Sequence, residues 1–483
     1  MDEFINSLEY QEIPLTVIDT QGSFSNIPFV YFYKNADNSA GFMSSYDLRN
    51  SFFKTLEQIP MLAGNLSPGP RGRISVVVDP ENLNLPEYRE SNSDIHFDDL
   101  EAEGFCWKSW PEGVNTAGPM TRADDKGNLK LANIHIIRLR ENSGIMIYVS
   151  MVHYVVDGPA HSDFVERWCL NYQRIKSEKL ASLDSLSPFL TDRNLLLQPS
   201  SIARSPIHKE TETTFTGFSI IAEIMAWVSP NLRGYIISKV VEDQKAETHI
   251  FHFSRASLES LKKSVSEHLL DSTEPSINEI ILSLATKTIA QSQNIVESRS
   301  SSMLKTLSGF FFKKSILPIA VIFEVREQLG LAEKLYAGNV LVPKIVCGDL
   351  KKLESVTTNE SIAEMITEFE PLTRDLSPAY VASHIDMVIP RPSSFARPIT
   401  QFLWHKSATS FVYDVMPNMY KADFGHGKPV WVSPIKPFRA NAVLLLTPKD
   451  ATDGIDVFMS ALPEVMEEVL QNEFWTSVAK LIY

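Results

Sequence analysis

The stretch His153-Tyr-Val-Val-Asp157-Gly158 places an imidazole four residues ahead of a carboxylate and a glycine. A neutral imidazole, with an ordinary pKa of about 6.5, accepts protons readily at neutral pH. The carboxylate can turn away from it and hold the following loop, as a helix cap or as half of an ion pair. A second stretch, Asp423-Phe424-Gly425-His426-Gly427-Lys428-Pro429, lies about 270 residues further on. Its glycines permit a tight backbone path around the ring between them, and Asp423 can fix that path by an ion pair. It is not a phosphate loop, which needs four residues between its glycines and Ser or Thr after the lysine. Taken alone, the first stretch also fits a core histidine before an ordinary cap, and the second a plain Gly-rich turn.

The elements that must position His153 are readable around it. IHIIRL and GIMIYVSMVH are β-rich runs separated by Glu141-Asn142-Ser143-Gly144, a hairpin signal. In the second run Ile145, Ile147, Val149, Met151 and His153 share one face by period-two alternation. Asp157-Gly158-Pro159 then opens a helix, with Asp157 as cap, proline in the first turn, and Phe164, Val165 and Trp168 as its apolar stripe. His153 therefore falls where a strand ends and a helix begins, a place from which it can project into a cleft.

The same mixture of elements extends along the chain. PFVYFYK reads as a strand, Ser45–Gln58 as a helix with Leu48, Phe52 and Leu56 on one side, and Ile74–Val78 as a strand. Residues from Ser182 to Glu247 are rich in Ser, Thr and Pro and read as a connector. Beyond it, THIFHFSRASLESLKKSV gives strand, turn and helix, and Ser276 with Glu279 forms a capping box at the next helix. Strands follow at ILPIAVIFEV, near VLVPKIV, at Ala442–Leu446 and at Ile455–Leu462, and a helix over Pro463–Phe474 closes the pattern. The fold class is α/β or α+β, with lobes at 1–190 and 247–483 joined by a connector at 191–246.

Composition narrows the function. A length of 483 residues favours two domains or more, and 44% hydrophobic with 22% charged residues describes a packed globule. The net charge of −14 argues against a phosphate-backbone binder. Cys106, Cys169 and Cys347 are too few and too scattered for a disulfide framework or a zinc site, and are expected as reduced, half-buried thiols. No metal is expected. The acidic start MDEFINSLEYQE carries no signal sequence, and the apolar run at Phe215–Val228 is interrupted by Glu223 and too short to span a bilayer. The chain is expected to be cytosolic.

Other chemistry finds little support. There is no GxSxG elbow, HExxH or GxGxxG. His161 and Ser162 form a conceivable pair, but read better as surface residues on the first helical turn. Ser308-Gly-Phe-Phe-Phe-Lys-Lys reads better as a buried strand edge than as a membrane-touching loop.

The HYVVDG and DFGHGKP stretches together resemble the BAHD acyltransferases, and more particularly their fungal relatives. PMLAGNL is similar to the family's "PLAGRL" turn, PSINEIILSLATKTI to the helix opening its second lobe, and VIFEVREQLG followed by YAGN to its "DVRxR … YFGN" segment. The resemblance covers nearly the whole chain. It implies two pseudo-symmetric chloramphenicol-acetyltransferase-like lobes, each a mixed sheet flanked by helices, with His153 midway along a channel between them. Acyl-CoA would enter from one face and a small-molecule alcohol or amine from the other, the acceptor being a specialised or lipid-like metabolite. His153 would act as general base without an acyl-enzyme, and acyl-CoA would be co-substrate with no bound cofactor. Asp157 would pair with Arg326, and Asp157, Gly158, Asp423, Gly425 and Gly427 would support the site structurally. The family prior is a monomer.

The sequence departs from the family pattern at His426 (usually Trp), Ala337 (usually Phe) and Glu324 (usually Asp). Thr409 and Ser410 are the nearest match to a Thr/Ser-Ser-Trp segment that helps bind the oxyanion, with Phe411 in place of the indole donor. Two other classes remain open at this stage: a condensation-type enzyme fed by a carrier protein, and a catalytically silent binding relative. The former usually shows two adjacent histidines, whereas Val152 precedes His153.

Overall fold

The computed structural model describes residues 1–16, 18–19, 26–68, 74–114, 129–177, 187–197, 246–269, 274–299, 316–373, 376–388, 409–413, 419–435, 441–450 and 452–483. Most of the expected connector, the Phe215–Val228 run and the Ser308 stretch lie outside them. In chain order the strands are β1 (Gln11–Pro14), β2 (Asn26–Lys34), β3 (Asn65–Pro68), β4 (Ile74–Val78), β5 (Glu87–Asn92), β6 (Ala132–Arg138), β7 (Gly144–Val152) and β8 (Glu247–Ser254). They continue with β9 (Ile316–Glu324), β10 (Leu341–Asp349), β11 (Thr409–Tyr413), β12 (Trp431–Pro434), β13 (Ala442–Leu446), β14 (Gly454–Ala461) and β15 (Lys480–Leu481).

Two mixed sheets dominate. The first has the order β12-β2-β7-β6-β5 and the second β10-β9-β11-β13-β14-β8-β15, while β1, β4 and β3 form a small third sheet. Period-two alternation sorts the first sheet's side chains as the sequence indicates. Ile145, Ile147, Val149 and Met151 of β7 join Phe29, Tyr31 and Tyr33 of β2 against the helices Ser45–Leu56 and Gly158–Lys176. Met146 and Tyr148 point the other way, into a second core with Val30, Phe32, Phe97, Phe105 and Trp110. β7 is buried along its whole length because both faces are covered. The second sheet packs against the helices Arg255–Ser266, Ile277–Arg299 and Asn359–Thr373. The Ser276–Glu279 capping box forms as expected, with Glu279 Oε2 accepting from the Ser276 N–H at 2.8 Å.

The two sheets exchange material. β12 lies in sequence between β11 and β13 of the second sheet, yet pairs antiparallel with β2, Trp431 opposite Phe32. The segment 247–483 thus contributes one strand to the first sheet as well as building the second. β2 would otherwise offer an open edge, and β12 closes it. Ser433 on β12 is in turn bonded to the Tyr483 hydroxyl at 3.0 Å, and Tyr483 accepts from the Ile250 N–H on β8 at 3.2 Å. The last helix also differs from expectation. It stops at Gln471, because Asn472 is extended (ψ 111°) and caps a separate helix, Glu473–Val478, through the Trp475 N–H.

Trp475 is fully buried, with Phe251 and Phe253 of β8 edge-on at 5.2 Å each. Trp475→Ala is expected to cost about 3–5 kcal/mol, read as a lower denaturant midpoint, with the first lobe's helices losing less protection in hydrogen exchange than β8.

Candidate active site

β7 runs out at Val152, and His153 is the first residue beyond it, half-buried. Four residues later Asp157 takes an extended conformation and caps the helix Gly158–Lys176, its Oδ1 accepting from the Ala160 N–H at 3.0 Å. Both carboxylate oxygens also receive the Arg326 fork, Nη2 to Oδ1 at 2.8 Å and Nη1 to Oδ2 at 2.9 Å. Oδ2 accepts the Val340 N–H as well, at 2.9 Å. Arg326 and Val340 belong to the loop between β9 and β10, so one fully buried carboxylate joins the first sheet's helix to the second sheet's loop.

Arg326 spends its remaining donors inside the same loop. Nη2 donates to the carbonyls of Tyr336 (3.2 Å) and Gly338 (2.9 Å), and Nη1 to Glu324 Oε1 (2.9 Å). Burial works against its charge, but Asp157 and then Glu324 outweigh that and hold its pKa raised. Burial pushes the Glu324 carboxyl up, with Arg326 pulling it back down. Glu324 therefore serves as a second anion for the same guanidinium.

The loop held in this way presents Asn339 to the imidazole. His153 Nδ1 lies 2.9 Å from Asn339 Oδ1, and Asn339 Nδ2 donates to the His153 carbonyl at 2.6 Å. The second contact orients the amide, because an amide oxygen cannot sit against a carbonyl oxygen at that distance. Oδ1 is therefore the atom facing the ring, and Nδ1 must carry the hydrogen. That leaves the Nε2 lone pair available, and among the described residues Nε2 has no hydrogen-bond partner.

Asn339 is itself anchored. Its N–H donates to Asp19 Oδ1 at 3.0 Å and its Nδ2 reaches the same oxygen at 3.4 Å. Asp19 Oδ2 accepts from the Thr16 N–H and hydroxyl, both at 2.8 Å. Arg193 Nη1 approaches Asp19 Oδ1 at 3.6 Å, and its guanidinium lies over the Tyr336 ring at 5.3 Å. All three charged or amide groups are buried. Gly338 leaves room for this guanidinium: a Cβ there would stand 1.4 Å from Arg193 Nη1 and force the buried side chain to move. Ala337, where the family pattern has Phe, is buried in the first core, and its N–H donates to the Leu190 carbonyl at 3.0 Å.

The Asp423–Gly427 stretch sits against the first lobe. Asp423 makes no ion pair among the described residues, contrary to expectation; its Oδ1 instead accepts the N–H groups of Gly425 (2.6 Å) and Gly427 (3.1 Å). Hydrogen bonds suffice because both glycines adopt positive φ (85° and 95°), which curls their amides back onto the carboxylate. Phe424 is buried edge-on to Tyr33, Trp168 and Tyr172. His426, in the place of Trp, lies edge-on to Phe42 at 5.1 Å with Nε2 3.4 Å from the Tyr172 hydroxyl. Burial and then Lys176 lower its pKa.

Thr409 and Ser410 lie on β11, Ser410 in register with Ala320 of β9 and Ala442 of β13; their side chains fall outside the described set. His161 and Ser162 are not surface residues: both are buried, since the helix presses its first turn onto the sheet, with Phe29 5.5 Å from the imidazole. They form no Ser–His pair, and His161 Nε2 faces the Val149 carbonyl at 3.4 Å. Cys169 is buried and Cys106 half-buried, both as free thiols. Sequence reasoning missed Asn339, Asp19 and Arg193. The YAGN match contained Asn339 without suggesting a role for it; Asp19 and Arg193 fall in unpatterned segments.

His153 thus stands between two mixed sheets, beside an ion pair that joins them. The chain belongs to the Transferase family, the BAHD acyltransferases, whose family model matches residues 6–475. It is 24% identical over 484 residues to phenolic glucoside malonyltransferase 2 of Arabidopsis thaliana, covering 96% of this chain and 94% of that protein. Its fold is similar to that of F. sporotrichioides TRI101 solved with coenzyme A and T-2, at TM-score 0.70 and 14% identity over 98% of this chain and all of that one. It is also similar to vinorine synthase, at TM-score 0.59 and 14% identity over 98% of each chain. Among the described residues no helix is long and apolar enough to cross a membrane.

Asp157→Ala leaves Arg326 charged and buried and is expected to cost about 3–5 kcal/mol; chemical denaturation will show a smaller loss if the pair is dispensable. Burial holds His161 at a pKa of about 4, below the 6.5 of an exposed ring. Below pH about 6.5 the unfolded chain takes up a proton that the folded chain refuses, so stability falls as pH drops from there towards about 4. His135 and His384 are lowered to about 4 in the same direction, also first by burial. Thermal unfolding of His161→Gln should therefore show a shallower, not abolished, loss across that window.

Proposed function

We propose that this chain transfers an acyl group, acetyl or larger, from the thioester of acyl-CoA to a hydroxyl or amine of a small-molecule or lipid-like acceptor. The observation that carries this reading is the His153 ring, with Nδ1 committed to Asn339 and Nε2 left as a base. Family membership supports the acyl-transfer class. The coenzyme A named with TRI101, and the malonyl transfer and phenolic glucoside named for the Arabidopsis relative, support a CoA donor and a small acceptor.

In this reading the acceptor O–H or N–H gives its proton to His153 Nε2 as its oxygen or nitrogen attacks the thioester carbonyl carbon. The tetrahedral intermediate then collapses, the C–S bond breaks, and the departing CoA thiolate takes up the proton from the imidazolium. No bond to the protein forms. Asp157, Gly158 and Arg326 hold the loop that orients the ring, and Asp423, Gly425 and Gly427 brace the first lobe from behind. The lobes at 1–190 and 247–483, linked through 191–246, enclose the donor and acceptor paths, and Thr409 and Ser410 of β11 are the candidates to meet the oxyanion or CoA.

The test is free-thiol release with acetyl, aromatic and long-chain acyl-CoAs against a mixed alcohol and amine library. Acceptor-dependent release is expected, reduced at least about 100-fold in His153→Ala with no change in unfolding midpoint. If no thiol is released, and coenzyme A does not raise the thermal midpoint, the reading fails.

A further inference from the structure

We propose that Asp19 is a positioning residue for His153: through the Asn339 amide its carboxylate strengthens the imidazole as a base and fixes the hydrogen on Nδ1. This rests on the reading of His153 as the base. The geometry is a chain of three groups from three distant segments. Asp19 Oδ1 receives the Asn339 N–H and faces Nδ2 at 3.4 Å, and Asn339 Oδ1 receives the imidazole Nδ1–H at 2.9 Å. A negative charge against the amide nitrogen draws density onto the amide oxygen, which makes it a stronger acceptor for an imidazole donor. The contact strengthens further when the ring gains its second proton, so the transition state benefits more than the resting state.

The Asp19 carboxylate serves only as an acceptor. Its second oxygen takes two donors from Thr16, and the Asp19 N–H closes the turn onto the Thr16 hydroxyl at 3.0 Å. The Thr16 bonds therefore hold the carboxylate in place, and burial keeps water from screening it. The other charged and titratable groups around this network come from each packed element. Asp157 follows β7, Arg326 and Tyr336 lie in the β9–β10 loop, and Arg193 lies in the segment 187–197. Asp157 and Arg326 engage each other directly and largely cancel. Arg193 stands 3.6 Å from Asp19 and moderates its field without touching Asn339. Two substitutions should thus act in opposite directions on the same ring, which a purely structural role would not produce.

Nitrogen-15 NMR of histidine-labelled protein, with His153 assigned by its loss in His153→Ala, reads both the tautomer and the ring's titration without substrate. In the unmodified chain the neutral ring should carry its hydrogen on Nδ1. Asp19→Asn should lower the ring's pKa by about one unit, Arg193→Gln should raise it, and the Asp19→Asn shift should vanish in an Asn339→Ala background. The acid limb of kcat/KM should move with the ring in each variant. A neutral ring protonated on Nε2 in the unmodified chain overturns the proposal even if every variant fails to fold. So does an Asp19→Asn shift of equal size without Asn339. If the ring behaves as stated but no acyl transfer occurs, the functional reading falls and the relay stands. If transfer requires His153 but its ring ignores Asp19, the relay alone falls.

Discussion

The structure depends on one carboxylate. Asp157 is buried completely, caps the helix behind the site, takes both arms of Arg326, and accepts the Val340 N–H from the far side. Ion pairs of this kind often contribute little net stability against an apolar replacement, because desolvation offsets attraction. Their value lies in geometry: a carboxylate with this many directional donors has one satisfactory placement, and it fixes the β9–β10 loop. Asn339, which reaches His153 from the second sheet, comes through that loop.

The same loop is gripped twice more. Leu190 pairs with it on one side, and Arg193 fills the space that the missing Cβ of Gly338 leaves open. The imidazole is thus placed by contacts from the N-terminal turn, the end of β7, the segment 187–197 and the second lobe. In an acidic chain of net charge −14, Arg193 and Arg326 lie buried at this seam, each against a buried anion.

What the sequence revealed followed from periodicity. β7 alternates strictly and ends at a cap signal, so the position of His153 at a strand–helix junction was legible, as was the Asp157–Arg326 pair through resemblance. Asn339, Asp19 and Arg193 were not, because each acts across a distance in sequence and none lies in a repeating pattern. β12 escaped for a similar reason: four residues with a terminal proline carry no period, and only pairing with β2 makes them a strand. His161 was misjudged because a cap says where a helix begins but not which side of its first turn meets the sheet.

In the proposed mechanism one imidazole moves the proton while the acyl group passes directly from sulfur to acceptor. Initial-velocity kinetics with acyl-CoA and acceptor both varied test it most directly. Intersecting reciprocal plots are expected, because both substrates are bound together before thiol leaves. Parallel plots, accompanied by an acylated form of the protein when donor is supplied alone, would contradict it.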